Sequence, residues 1–138
     1  MVFIPARTFD QEEDIQLFHV FATKYSAAMP EVNKTFMYIE TSQFNKPFSI
    51  INNLVFFNRT ICERLRFTTE ELEAMLAHQV GHAVDSLVRT KVNQSEREDH
   101  ADDFAVAHNL GCFLCSALKK CYSSGVFSDP EVDVIAAE

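Results

Sequence analysis

The chain has 138 residues, which suits one domain with a real core. It is 47% hydrophobic and 23% charged, with three Gly and four Pro, an ordinary globular composition. A net charge of −8 and a pI near 5.0 argue against nucleic acid as a partner, because phosphates call for clustered Lys and Arg, and equally against anionic membranes.

The start, MVFIPARTFDQEED, has neither the basic end nor the apolar core of a signal peptide. No apolar run approaches the roughly 20 residues of a spanning helix. The expectation is a single soluble domain, 1–138, in the cytoplasm, with secretion after loss of a leader as the alternative.

Residues 10–28 read as a helix, with Asp10 as cap and Glu12, Glu13 and Asp14 at its positive end. Ile15, Phe18, Phe21, Ala22 and Tyr25 recur at helical spacing as its core face, His19 lies near that face as a structural residue, and Pro30 stops the helix. TFMYIET, 35–41, and IINNLVFFN, 50–58, are rich in aromatic and β-branched residues and read as strands. Asn52-Asn53 breaks the second run as a tight turn or a bulge. TICERL, 60–65, suits a short helix.

Thr68 and Glu71 form a capping box, in which each side chain satisfies the other's backbone N–H. The helix it opens runs 69–89 on the spacing of Leu72, Met75, Leu76, Gln79, Val80, Ala83 and Leu87. Gly81 inside it costs roughly 1 kcal/mol against Ala, which signals close approach by another element or a ligand. After the loop TKVNQ comes a helix over 95–110, with Ser95 and Glu98 as a second capping box. Gly111 ends or bends it, and CFLCSALKKCYSSG continues as a third helical stretch closed by Gly125. The tail begins like a short helix, with Asp129 as cap and Pro130 in first position.

Cys62, Cys112, Cys115 and Cys121 are expected to be buried free thiols, since three of them share one helical stretch and pair awkwardly. A disulfide or a second metal site is the alternative.

The chemistry lies in LAHQVGHAVD, 76–85. His78 and His82 stand one helical turn apart, which is how a helix offers two imidazoles to a zinc ion. A catalytic zinc takes three protein ligands and keeps one position open. Glu98 and Asp102, again four apart, fall on one face of the next helix. One can ligate while the other orients a ligating histidine through its free ring N–H. Helical histidines and a solvated acidic face are the plain readings of these residues; the order and spacing of both pairs together favour the metal.

LAHQVGHAVD followed by EREDHADDFAVAHNLG resembles the gluzincin metallopeptidases, in particular the HtpX/CAAX-prenyl-protease-like and ImmA/IrrE groups. Their pattern is HExxH, then Glu-x-x-Ala-Asp on a second helix, and the resemblance covers about residues 50–110. It implies an α+β minimal gluzincin-type domain, with a small mixed sheet from 35–58 on the helix 69–89 and the helices 10–28 and 95–122 behind. It implies Zn2+ on His78, His82 and Glu98, with Asp102 supporting a histidine. The strand Leu54, Val55, Phe56, Phe57 would be the rim of the cleft, pairing with an extended peptide. His108 and Tyr122 are candidate transition-state stabilisers, although packing or surface roles suit both. His100 should point away from the metal, and Asp85, one turn past His82, reads as a surface acid, with a supporting place behind the ligands as the alternative.

Gln79 departs from that pattern. The family has Glu there as the general base that takes a proton from the attacking water and passes it to the leaving amine. An amide has nearly the same shape and cannot take the proton. The implied parent activity is zinc-dependent hydrolysis of a peptide bond in a protein or peptide, the chain itself among the candidate substrates. This Gln79 form is expected to be inert, as a Glu-to-Gln inactivation or as a natural pseudo-enzyme; the intact surrounding pattern favours the first. The alternative from another class is a catalytically dead zinc module that binds peptides or a partner.

Overall fold

The structure is a computed structural model and describes residues 1–6, 15–88 and 93–126. Buried and exposed positions alternate along its strands: Phe3 is buried between exposed Val2 and Ile4, and Phe36 and Tyr38 are buried on either side of Met37. That period of two turns one face of a sheet onto a core. Strands β1 (Val2–Pro5), β2 (Thr35–Glu40), β3 (Phe48–Ile51) and β4 (Leu54–Phe57) lie in the spatial order β1-β2-β4-β3. β1, β2 and β4 run parallel, and β3 is antiparallel to β4. The turn between β3 and β4 is Asn52-Asn53, a tight turn rather than a bulge. Asn52 has φ 56, a left-handed conformation that Asn tolerates.

The second expected strand, 50–58, is therefore two strands of a hairpin that begins at Phe48. β4 has neighbours on both sides, so its backbone groups are already paired and Leu54–Phe57 has no free edge to offer a peptide. The free edge on that side is β3, the strand that packs on the long helix.

Helix α1 (Ile15–Tyr25) sets Phe18 and Phe21 against Phe3, Tyr38 and Phe57, with Phe18 stacked on Tyr38 at 4.1 Å between ring centroids. His19 is exposed, one step off the buried Phe18, and is no part of the core. Asp10, Glu12, Glu13 and Asp14 lie outside the described residues. Helix α2 (Arg59–Arg64) is capped by Asn58, whose side chain accepts the Ile61 N–H at 3.1 Å.

Helix α3 (Thr69–Val88) opens on the expected capping box: the Thr68 N–H donates to Glu71 Oε1 at 2.9 Å, and the Glu71 N–H to Thr68 Oγ1 at 3.2 Å. The same buried Glu71 accepts from Ser116 Oγ (2.7 Å) and Lys120 Nζ (2.5 Å). Burial favours its neutral form, but these donors outweigh that and hold its carboxyl below the ordinary range. Buried Glu73 accepts from Tyr25 Oη at 2.6 Å and from Lys24 at 2.9 Å. Burial, reinforced by the Glu73 carboxylate, raises the Tyr25 phenol to about 12. The first half of α3 is thus tied to α1 and to the second of the two described helices that follow it.

Helix α4 (Gln94–Ala107) is capped by Asn93, which accepts the Glu96 N–H at 2.8 Å. Ser95 is therefore inside the helix, and the expected Ser95–Glu98 box does not form. A cap two residues earlier leaves the Glu98 carboxylate free of the backbone. α4 ends at Ala107, before Gly111, and Asn109 takes the left-handed conformation (φ 65) just past its end. Gly111 instead begins α5 (Gly111–Ser123). On α5, Cys121 is buried but Cys112 and Cys115 face solvent, contrary to expectation, because Leu114, Ala117 and Cys121 form the helix's inner face. All four thiols are free, and burial pushes those of Cys62 and Cys121 up. The tail from Phe127 lies outside the described residues. No described helix is long and apolar enough to cross a membrane. The small mixed sheet and its helices are the expected α+β architecture.

Candidate metal centre

The second half of α3 meets α4 across Gly81. A Cβ built there would lie 2.9 Å from the Phe104 Cβ, 3.1 Å from the Ala101 Cα and 3.2 Å from the Ala101 carbonyl oxygen. The glycine is the close approach that its helix-breaking cost foretold. It lets the two backbones come near enough for short side chains to meet across the seam.

On one side of that seam three atoms converge. Glu98 Oε2 lies 2.9 Å from His78 Nε2 and 3.2 Å from His82 Nε2, and the two imidazole nitrogens are 3.1 Å apart. A tetrahedral zinc with ligands at 2.0–2.1 Å has edges of about 3.3 Å. The triangle therefore needs only a slight expansion to hold one. His78, His82 and Glu98 are the one such group of three among the described residues.

The surroundings fix which atoms face inward. His78 Nδ1 is 2.9 Å from Asp102 Oδ1. Both atoms are buried, and neither has a well-aligned hydrogen bond among the described residues, so the contact is a bent ion pair. It keeps a proton on Nδ1 and turns the Nε2 lone pair toward Glu98. Gln94 Nε2 donates to Glu98 Oε1 at 3.1 Å, leaving Oε2 to the histidines.

Two imidazole lone pairs and a carboxylate oxygen, all about 3 Å apart, repel one another unless a cation sits among them. Without a metal that cation is a proton. Burial alone would lower the His78 pKa, but Asp102 and Glu98 outweigh it and raise it to about 9. Burial favours a neutral Glu98, but the two imidazoles outweigh it and hold its carboxyl far below the ordinary range. Nitrogen and carboxylate donors in this arrangement suit a divalent transition-metal ion.

The other sequence candidates are dispersed. Gln79 follows His78 on α3 and is 8% exposed. His108 lies 3.4 Å from Glu31 and against the Phe104 ring, and Tyr122 is 61% exposed on α5. Neither is brought into the ligand group. His100 points away from the ligands, as expected, but Asp85 is not a surface acid: it is 9% exposed and its Oδ1 lies 3.0 Å from His100 Nδ1. Gln94 was not foreseen, since an exposed glutamine one turn before Glu98 carries no distinguishing signal.

No family model, curated protein or solved structure matches the chain.

Proposed function

We propose that this domain is a zinc metallopeptidase scaffold whose reaction is hydrolysis of a peptide bond, held inactive in this chain by Gln79. The observation that carries the reading is the joint placement of His78, His82 and Glu98 with Asp102 behind His78. A zinc ion held by these residues would supply a Lewis acid that acidifies water and polarises a peptide carbonyl.

The chain's own groups do the rest. His78, His82 and Glu98 hold the ion, and Asp102 fixes the tautomer of His78. The free edge of β3 beside α3 offers backbone N–H and C=O groups to an extended segment of substrate. A flexible or unfolded protein chain suits such an edge, the domain's own chain included. Gln79 can hydrogen-bond to water or to the peptide but cannot take a proton.

The second reading, a zinc-containing peptide-binding module, is favoured by Gln79 itself. One experiment separates the two. Zinc content and cleavage of unfolded casein are measured for the chain and for Gln79→Glu. One zinc per chain in both, with cleavage only in Gln79→Glu, supports the peptidase reading. Zinc without cleavage in either supports the module. Absence of zinc from both overturns the metal site.

A further inference from the structure

The ligand helix α4 packs on α3 through a narrow apolar strip. Its only buried side chains are Glu98, Ala101 and Ala105. Two methyl groups and the partly buried Phe104 against a glycine make a narrow contact, so side-chain packing restrains only lightly how far α4 is rolled about its own axis. Roll is what the metal site cannot tolerate. Helix Cα atoms lie about 2.3 Å from the axis and the Glu98 carboxylate roughly 6 Å, so a 10° roll moves it by about 1 Å. Metal–ligand distances tolerate about 0.2 Å.

A polar contact grips α4 away from the ligand face. His100 stands two residues from Glu98, roughly 200° around the helix. It reaches back to α3, where its buried Nδ1 lies 3.0 Å from Asp85 Oδ1, a close polar contact without an aligned hydrogen bond. Asp85 is three residues beyond the ligand His82, and its side chain is only 10% exposed. The contact therefore joins the two ligand-bearing helices directly, and it is partly shielded from solvent.

We infer that Asp85 and His100 are positioning residues: their contact counter-pins α4 against roll and so sets Glu98 at ligand distance from His78 and His82. Neither touches the metal. The inference rests on the metal site proposed above, and it adds a requirement that the ligand set does not contain.

Zinc affinity by chelator competition and the visible spectrum of the cobalt-substituted protein test it. The full chain is compared with His100→Ala, Asp85→Ala, His100→Asn and Glu73→Gln. The two alanine variants are expected to bind zinc about 10–100-fold more weakly, the usual range for groups that orient metal ligands, and to show altered cobalt d–d bands. His100→Asn puts an amide N–H close to the place of Nδ1 and is expected to stay within about threefold. Glu73→Gln weakens a buried contact elsewhere on α3 and should leave the affinity and the cobalt spectrum unchanged. Unchanged affinity and spectrum in both alanine variants would overturn the inference while leaving the zinc site standing. An equal loss in Glu73→Gln would overturn it too, as an effect of stability alone. If the alanine variants do not fold, a His100→Asn as weak as Glu98→Ala would count against it. A chain that binds no zinc at all removes the site and the inference together.

Discussion

Gly81→Ala sets helix propensity against packing at the seam. In an ordinary helix the change gains about 1 kcal/mol. Here the new methyl meets three atoms at 2.9–3.2 Å, where carbon contacts prefer about 3.5–4.0 Å, and two of the three belong to the backbone of α4. Backbone does not rotate away, so α4 must retreat by about 0.5 Å. Overpacking of this kind costs about 1–3 kcal/mol, which leaves the variant between neutral and about 2 kcal/mol less stable. The larger effect falls on the metal. Glu98 lies one turn from Ala101 and moves with it, beyond the roughly 0.2 Å tolerance of a ligand. Zinc affinity should fall by about 10–100-fold, on the scale of losing a supporting partner. Urea denaturation of metal-free protein and zinc competition with a chromophoric chelator measure the two effects. A variant about 1 kcal/mol more stable with unchanged zinc affinity would refute the close approach.

Zinc binding should release protons. With its pKa raised to about 9, His78 is protonated at pH 7.5 in metal-free protein, and a ligand needs its lone pair. Calorimetry in buffers of different ionisation enthalpy should show about one proton released near pH 7.5, with affinity rising with pH until about pH 9. The same raised pKa stabilises the metal-free fold fully below about pH 6.5, and that contribution is lost as pH rises through 9. Asp102→Asn keeps the shape of the contact but loses its charge, and zinc affinity should drop about 10–100-fold while the circular dichroism is unchanged. Tyr25→Phe leaves the buried Glu73 carboxylate short of its 2.6 Å donor, and urea unfolding should show a loss of about 1.5–3 kcal/mol.

Elements whose identity rests on local chemistry were legible in the sequence. The capping box at Thr68 and Glu71, the spacing of α3 and the warning in Gly81 each depend on residues within a turn of one another. The pairs His78/His82 and Glu98/Asp102 were legible because four-residue spacing puts side chains on one face of a helix whatever surrounds it. What escaped depended on distant partners. β1 is four residues long and exists as a strand through its pairing with β2. β4 read as an edge because no local pattern tells an edge from a centre; β3 took that place by folding back at Asn52. Ser95 and Asn93 are both good caps, and the choice fell to Asn93. The contact of Asp85 with His100 joins two helices at a rotation that periodicity alone assigns to solvent.

The three candidate ligands all come from two consecutive helices. His82 and Glu98 are 16 positions apart, and no strand contributes a donor. The loop that must close to assemble the site is short, whereas β1 must find β2 across more than thirty residues. Closure entropy grows with loop length, and local contacts form first. A metal ion held by these residues would therefore have a binding-competent helix pair to meet before the sheet is complete. Metal present from the start of refolding should speed the recovery of native structure, whereas metal added afterwards can only lock what has already formed.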